Sequence, residues 1–255
     1  SQKLVEFAES RGTAAELISV EENESLYLVT VKMQGEEVPV YVTKDGKNLV
    51  PTLIPLDIVE QTPAPTPQPE EVPTTDTPEA NLYIWSYCPY GVTALAPFAD
   101  TAKLLGDSIN SKVYLYYAGH GDYEEQQNKI QACIQDLGSD KYYDYAKTFA
   151  NEIYGKCSQD IDCDLEESKA LMKELGIDSE AVLECVETKG DKLLEEHFNK
   201  AKEAGVTGSP SLVINGVKVN TARTAEAYKT AICSSFNNAP ETCSQELSTT
   251  GSTAT

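Results

Sequence analysis

Cys88 stands in "SYCPYG" (86–91), after the apolar, β-rich run "NLYIW" and before an amphipathic stretch that reads as a helix. A cysteine between a buried strand and a helix start is placed for thiol chemistry. Pro89 suits a first helical position, where its missing N–H costs nothing. The unpaired amides of that turn favour negative charge, so they favour a thiolate. A thiolate so held is a nucleophile towards disulfides. Chemistry with two thiols would place a second cysteine three residues on, and there the sequence has Gly91. A lone thiol can attack a disulfide, but it has no internal partner to release the mixed disulfide that results.

The second chemical element is Gly208-Ser209-Pro210, just before "SLVINGVKV". A cis Ser209–Pro210 bond there would mark a tight, specified turn. It would leave the N–H and C=O of Ser209 to pair with an extended peptide, as in strand addition. If that turn faces the cysteine across a groove, as resemblance to thioredoxin-like folds implies, the candidate substrate-binding residues are Pro89, Tyr90, Gly91, Ser209 and Pro210.

The elements that position these residues can be read in order. "NLYIWSY" is a buried strand, "PYGVTALAPFADTAKLLGD" a helix with Pro97 as a predicted kink, and "SKVYLYYA" a second strand. Residues 122–203 read as a helical block broken at Gly138, Gly155, Gly176 and Gly190. "VTGSPSLVINGVKV" gives two strands joined at Asn215-Gly216, a strong hairpin signal, and "TARTAEAYKTAICSSF" a last helix. Strand, helix, strand, helical block, hairpin, helix is the order of an α/β, thioredoxin-like fold with a large helical insertion.

Upstream, residues 60–80 carry six of the thirteen prolines with Thr and Glu, and predict an extended spacer. They separate a small α+β module (1–59) from the thioredoxin-like domain (81–243). In the module "KLVEFAESRG" reads as a helix. "SLYLVTVKM", "EEVPVYVTK" and the piece after Asp45-Gly46 read as antiparallel strands. Its small core predicts either a homodimer through residues 1–59 or docking on the second domain. The polar tail, 244–255, is expected to be disordered.

The chain has 255 residues, a net charge of −21 and no clustered Lys or Arg. Nucleic acid is thereby excluded as a partner, because phosphate contacts need basic patches. Cys88, Cys133, Cys157, Cys163, Cys185, Cys233 and Cys243 make an odd count, which suits three bridges and one free thiol. Polar surroundings at Cys157, Cys163, Cys185 and Cys243 argue against inert buried thiols. With two histidines and no short C-x-x-C pair, no metal site is expected. Disulfides imply an extracytoplasmic setting, secreted, periplasmic or at the cell surface. "SQKLVEFAES" shows no secretory signal, so a signal or anchor would have to lie outside the given chain.

"SYCPYG", "GSPSLVING" and the helical insertion resemble the DsbA-like branch of the thioredoxin superfamily. "HGDYEEQQNKIQAC" (120–133) resembles the signature of the gamma-interferon-inducible lysosomal thiol reductases, C-Q-H-G-x-x-E-C-x-x-N-x-x-x-x-C. His120, Gly121, Glu124, Asn128 and Cys133 match in register, whereas Ala118 and Glu125 stand where that signature has its other two cysteines. The resemblance covers roughly residues 81–243. It implies thiol–disulfide exchange on protein or peptide thiols and disulfides, with Cys88 as the attacking sulfur and Pro210 as a cis-proline facing it. No cofactor is implied. Gly91 closes the internal resolving route, which leaves an isomerase, or a monothiol reductase using an external thiol. The alternative is a peptide-binding module that kept the groove and lost turnover; a third role for Cys88 is as an intermolecular tether. His120 reads as a histidine making structural hydrogen bonds, and the tyrosines of "KYYDYAKTF" as core and groove lining. Six further cysteines allow fifteen pairings; the working set is Cys157–Cys163, Cys233–Cys243 and Cys133–Cys185.

Overall fold

The computed structural model describes residues 15–22, 26–33, 36–50 and 71–249. The chain divides into two units, Ser1–Gln68 and Pro69–Thr255.

In the first unit β1 (Ala15–Glu22), β2 (Leu26–Met33), β3 (Glu36–Thr43) and β4 (Leu49–Val50) form an antiparallel sheet in that order. Alternation in β2 turns Val29 and Val31 to a buried face. Gly46, at φ +66°, closes the turn into β4 with its N–H on the Thr43 carbonyl. β1 was not among the strands read from the sequence. It lies at the sheet edge and leaves Leu17, Ile18 and Val20 exposed. The helix expected at "KLVEFAESRG" lies outside the described residues.

The second unit is built on a four-stranded sheet, β6-β5-β7-β8. β5 (Glu79–Ile84) runs parallel to β6 (Asn110–Leu115) and antiparallel to β7 (Ser211–Ile214), which pairs with β8 (Val217–Val219). β5 is buried on both sides, hence its near-continuous apolar run. Leu82 and Ile84 face the main core with Leu95, Phe98 and Val113, while Tyr83 faces a second cluster with Tyr116, Ala201 and Val213. Full burial of a side chain such as Leu82 stabilises by about 1.5–3 kcal/mol. Asn215 and Gly216 both take positive φ in the β7–β8 turn, the conformation for which Asn-Gly is selected.

Helix α1 (Pro89–Leu105) follows β5 and contains Pro97 within its length. The insertion comprises α2 (Asp122–Asp136), α3 (Tyr142–Thr148), a π-helical turn at Phe149–Ile153, α4 (Tyr154–Cys157), α5 (Ile161–Leu175) and α6 (Ser179–Glu203). Two disulfides hold it: Cys133–Cys185 joins α2 to α6, and Cys157–Cys163 joins α4 to α5. A third, Cys233–Cys243, ties α7 (Ala225–Cys233) to the chain after it. Among the described residues no helix is long and apolar enough to cross a membrane.

Several expectations need correction. Gly138 and Gly176 do stand at helix ends, with positive φ. Gly155 and Gly190, expected as breaks, lie inside α4 and α6. At Gly190 a Cβ would stand 3.0 Å from Lys129 Cδ, so this glycine permits the close approach of α2. The stretch 71–80, assigned to the spacer, belongs to the second unit: Thr75 exchanges backbone hydrogen bonds with Ser235 and Asn237, and β5 already begins at Glu79. The described part of the tail, expected to be disordered, is tied to α7 through residues 245–248. Leu247 N–H donates to Glu226 Oε2 at 2.8 Å, Glu226 N–H to the Ser248 carbonyl at 3.1 Å, and Lys229 Nζ to the Gln245 carbonyl. A polar composition did not prevent order there, because α7 offers the partners.

Candidate active site around Cys88

Cys88 is the N-cap of α1, in extended backbone, and Pro89 opens the helix. Of the seven cysteines, all within the described residues, it alone is unbridged. The Ser209–Pro210 peptide bond is cis. Cys88 Sγ lies 3.8 Å from the Ser209 carbonyl oxygen, so the thiol donates across the groove. That carbonyl, expected to be free for a peptide, is engaged while the thiol carries its proton. The sulfur is also less open than the sequence implied, since Cys88 is 6% exposed. Pro89 and Tyr90 are exposed, Ser209 and Pro210 half-buried, and Gly91 buried.

An aromatic surface borders this groove. The Trp85 ring packs on Tyr116, Tyr117 and His120 at centroid distances of 6.1, 5.0 and 6.0 Å. Tyr90 is 65% exposed, and the Arg223 guanidinium lies 5.5 Å from its ring centroid. Beneath the site, Tyr87 packs on Tyr123, Phe149 and Tyr154. The π-helical turn thus brings Phe149, its first residue, and Tyr154, which follows it, onto the residue before Cys88. Burial, and after it the charges of Cys88 and Glu124, push the Tyr154 phenol up.

The turn 85–87 is held by side chains from α2. Glu124 is wholly buried, and its Oε1 accepts the Tyr87 N–H at 2.8 Å. Its Oε2 accepts the His120 N–H at 3.0 Å and faces His120 Nδ1 at 3.0 Å. Asn128 Oδ1 accepts the Ser86 N–H at 3.2 Å, and its Nδ2 donates to the Tyr117 carbonyl at 3.1 Å. Gly121, at φ +121°, starts α2. Four residues singled out by the signature match therefore gather at one place, and Cys133 anchors the far end of the same helix to α6. The signature match singled out Glu124 and Asn128 without giving them a role; their i, i+4 spacing on a helix places both on one face.

One contact had no local signal. Tyr87 Oη donates to Asp164 Oδ1 at 2.7 Å, across 77 residues of sequence. Burial raises the Asp164 carboxyl to about 6, against hydrogen bonds from Tyr87 and Gln126 that lower it. Burial, then the charge of Asp164, raises the Tyr87 phenol in turn. His197 lies apart from the groove. Its Nδ1 accepts the Leu115 N–H at 3.0 Å, and burial lowers it to about 4, so it pins α6 to β6 as a neutral ring.

A family model described as Thioredoxin matches residues 98–233, more than half of the chain. The chain belongs to this thioredoxin family. The match begins downstream of Cys88 and Gly91, so membership rests on the scaffold and not on the cysteine motif. The reduced form of the disulfide bond oxidoreductase DsbG from Mycobacterium tuberculosis is similar in structure, with 16% identity over 69% of this chain and 93% of that chain, at a TM-score of 0.50. Reduced DsbA from Mycobacterium tuberculosis gives 16% identity over 68% of this chain and 94% of that chain, at a TM-score of 0.51. These likenesses are of fold, and they give this thioredoxin-family chain a DsbA-like architecture, helical insertion included. No curated protein matches.

Proposed function

We propose that this chain carries out thiol–disulfide exchange on protein or peptide substrates through Cys88 alone, in an extracytoplasmic setting. The observation that carries the reading is an unbridged cysteine at the N-terminus of α1, 3.8 Å from the carbonyl that precedes a cis-proline. Three disulfides in the same unit support an oxidising compartment. The Cys88 thiolate attacks one sulfur of a substrate disulfide. A new S–S bond forms, the old one breaks, and the departing substrate thiolate takes a proton. Loss of the Cys88 S–H frees the Ser209 carbonyl to accept an N–H from the substrate backbone, while Pro89, Tyr90, Gly91 and Pro210 border that backbone. Release needs another thiol. A second substrate thiolate gives isomerisation with no net redox change. Two external thiols give reduction, and leave as their own disulfide.

Wild type should speed the refolding of a scrambled disulfide protein in glutathione buffer, and Cys88→Ser should fall to the uncatalysed rate. Equal rates for the two would remove Cys88 from the chemistry. A second reading, a peptide-binding module without turnover, is favoured by the 6% exposure of Cys88. It requires Cys88→Ser to hold a cysteine-free peptide as tightly as wild type does, with no rate enhancement in either.

A further inference from the structure

Gly91 sits where a resolving cysteine would stand, and the space for any side chain there is already taken. A Cβ on Gly91 would lie 2.5 Å from Ser209 Oγ, 2.8 Å from the Trp85 carbonyl oxygen and 3.3 Å from Cys88 Cβ. The two nearest atoms belong to one chain of hydrogen bonds. Ser209 Oγ accepts the Trp85 N–H at 3.0 Å, and the Trp85 carbonyl accepts the Cys88 N–H at 3.1 Å. The Trp85 oxygen is backbone, and the Ser209 hydroxyl, a side-chain atom, is held by the Trp85 N–H. Moving the hydroxyl breaks its bond to Trp85, and moving Trp85 disturbs the turn that presents Cys88.

We propose that Ser209 is a positioning residue that commits this site to a single thiol: its hydroxyl occupies the volume a residue-91 side chain needs and ties Trp85 over the same space. The proposal rests on the exchange reading for its meaning, but its content is local packing. The internal resolving route is closed by the surroundings of residue 91 as well as by the missing sulfur. The resolving thiolate therefore comes from the substrate or from a small external thiol. It attacks the substrate sulfur of the mixed disulfide, that S–S bond breaks, and the Cys88 thiolate is released.

The test counts thiols. Wild type, Gly91→Cys, Ser209→Ala and the Gly91→Cys/Ser209→Ala double variant are equilibrated in oxidised glutathione, quenched with acid, alkylated and weighed intact. Gly91→Cys alone should keep Cys88 and residue 91 as separate thiols or glutathione adducts. The double variant should lose both labels and two hydrogens as it forms an internal disulfide, because removing the hydroxyl opens the space and releases Trp85. An internal disulfide formed as completely in Gly91→Cys alone would overturn the proposal. Should Gly91→Cys fail to fold, the rate of Cys88 alkylation in the wild-type background decides. Ser209→Ala should shift it at least threefold and Ser209→Thr, which keeps a hydroxyl, should restore it; an unchanged rate in Ser209→Ala overturns the proposal. None of these readouts uses a protein substrate. Absent turnover would thus sink the exchange reading alone, and a wrong thiol count would sink this one alone.

Discussion

Helix α2 carries two rows of buried polar side chains, and the two rows differ in what they hold. Glu124 and Asn128 bind mainly main-chain groups, the amides of Ser86, Tyr87 and His120 and the Tyr117 carbonyl, with the His120 ring as a side-chain partner of Glu124. Gln127 and Gln131, buried as fully, bind side-chain groups of the insertion. Gln127 Nε2 donates to Tyr145 Oη at 3.1 Å, Ser168 Oγ donates to Gln127 Oε1 at 3.1 Å, and Tyr142 Oη donates to Gln131 Oε1 at 3.1 Å. A hydroxyl partner can be substituted away together with its acceptor, at little net cost. A main-chain amide cannot be. The first row is therefore bound to the loop that precedes Cys88, whereas the second could be rebuilt from apolar residues of like volume. Positioning the site and filling the insertion are separate tasks done by one helix.

The comparison breaks most visibly at Glu124. Glu124→Ala leaves the buried Tyr87 amide without its acceptor, at about 1–3 kcal/mol, and returns the exposed His120 amide to water. Urea unfolding should show that loss, and Cys88 alkylation should change at least tenfold. Glu124→Gln, which keeps the volume and one acceptor, should fall between. Gln127→Met should cost about 1 kcal/mol, since Tyr145 and Ser168 still bond each other at 2.8 Å. Its Cys88 alkylation should match wild type; a change as large as that of Glu124→Ala would erase the distinction between the rows.

Asp164 gives a second, pH-dependent way to sharpen it, with an effect between those two. Folded Asp164 titrates at about 6, above its ordinary value of 3.8. Its favourable contribution, that of the neutral carboxyl, is complete below pH 4 and is lost as pH rises through 6. Asp164→Asn keeps an acceptor for Tyr87 without that ionisation, and at pH 7 should gain up to about 3 kcal/mol. The difference in stability between the two proteins should open between pH 4 and 6 and stay level above. Buried His197 acts in the opposite sense over an overlapping range, losing its stabilising neutral form as pH falls from 6.5 through about 4. It is common to both proteins and cancels in the difference. A gap independent of pH would remove the ionisation from the account.

What could be read from sequence was what local patterning specifies. The apolar run of β5, the Cys88-Pro89 entry to α1 and the Asn215-Gly216 hairpin each carry their own signal; the last two lie where they were read, while the strand, read as 81–87, spans Glu79–Ile84 and gives way to the turn 85–87. Two of the failures are contacts made at a distance. Gly190 resembles a helix breaker until Lys129 is seen lying over it, and the tail resembles a solvated end until Glu226 accepts from Leu247. The pairing of Tyr87 with Asp164 had no periodic trace, because its partners belong to different elements. The lone thiol and its proline were legible; the closed space beside Gly91 was not, since it depends on where a serine far along the chain places one oxygen.

The central claim is that a sulfur tucked under the cis-proline loop still reaches solvent as a nucleophile. The most direct measurement is a titration of the native, non-reduced protein with a small aromatic disulfide that releases a coloured thiolate. One equivalent per chain, absent in Cys88→Ser, is the result this account predicts. No release from the native protein, with one equivalent appearing only after denaturation, would contradict it.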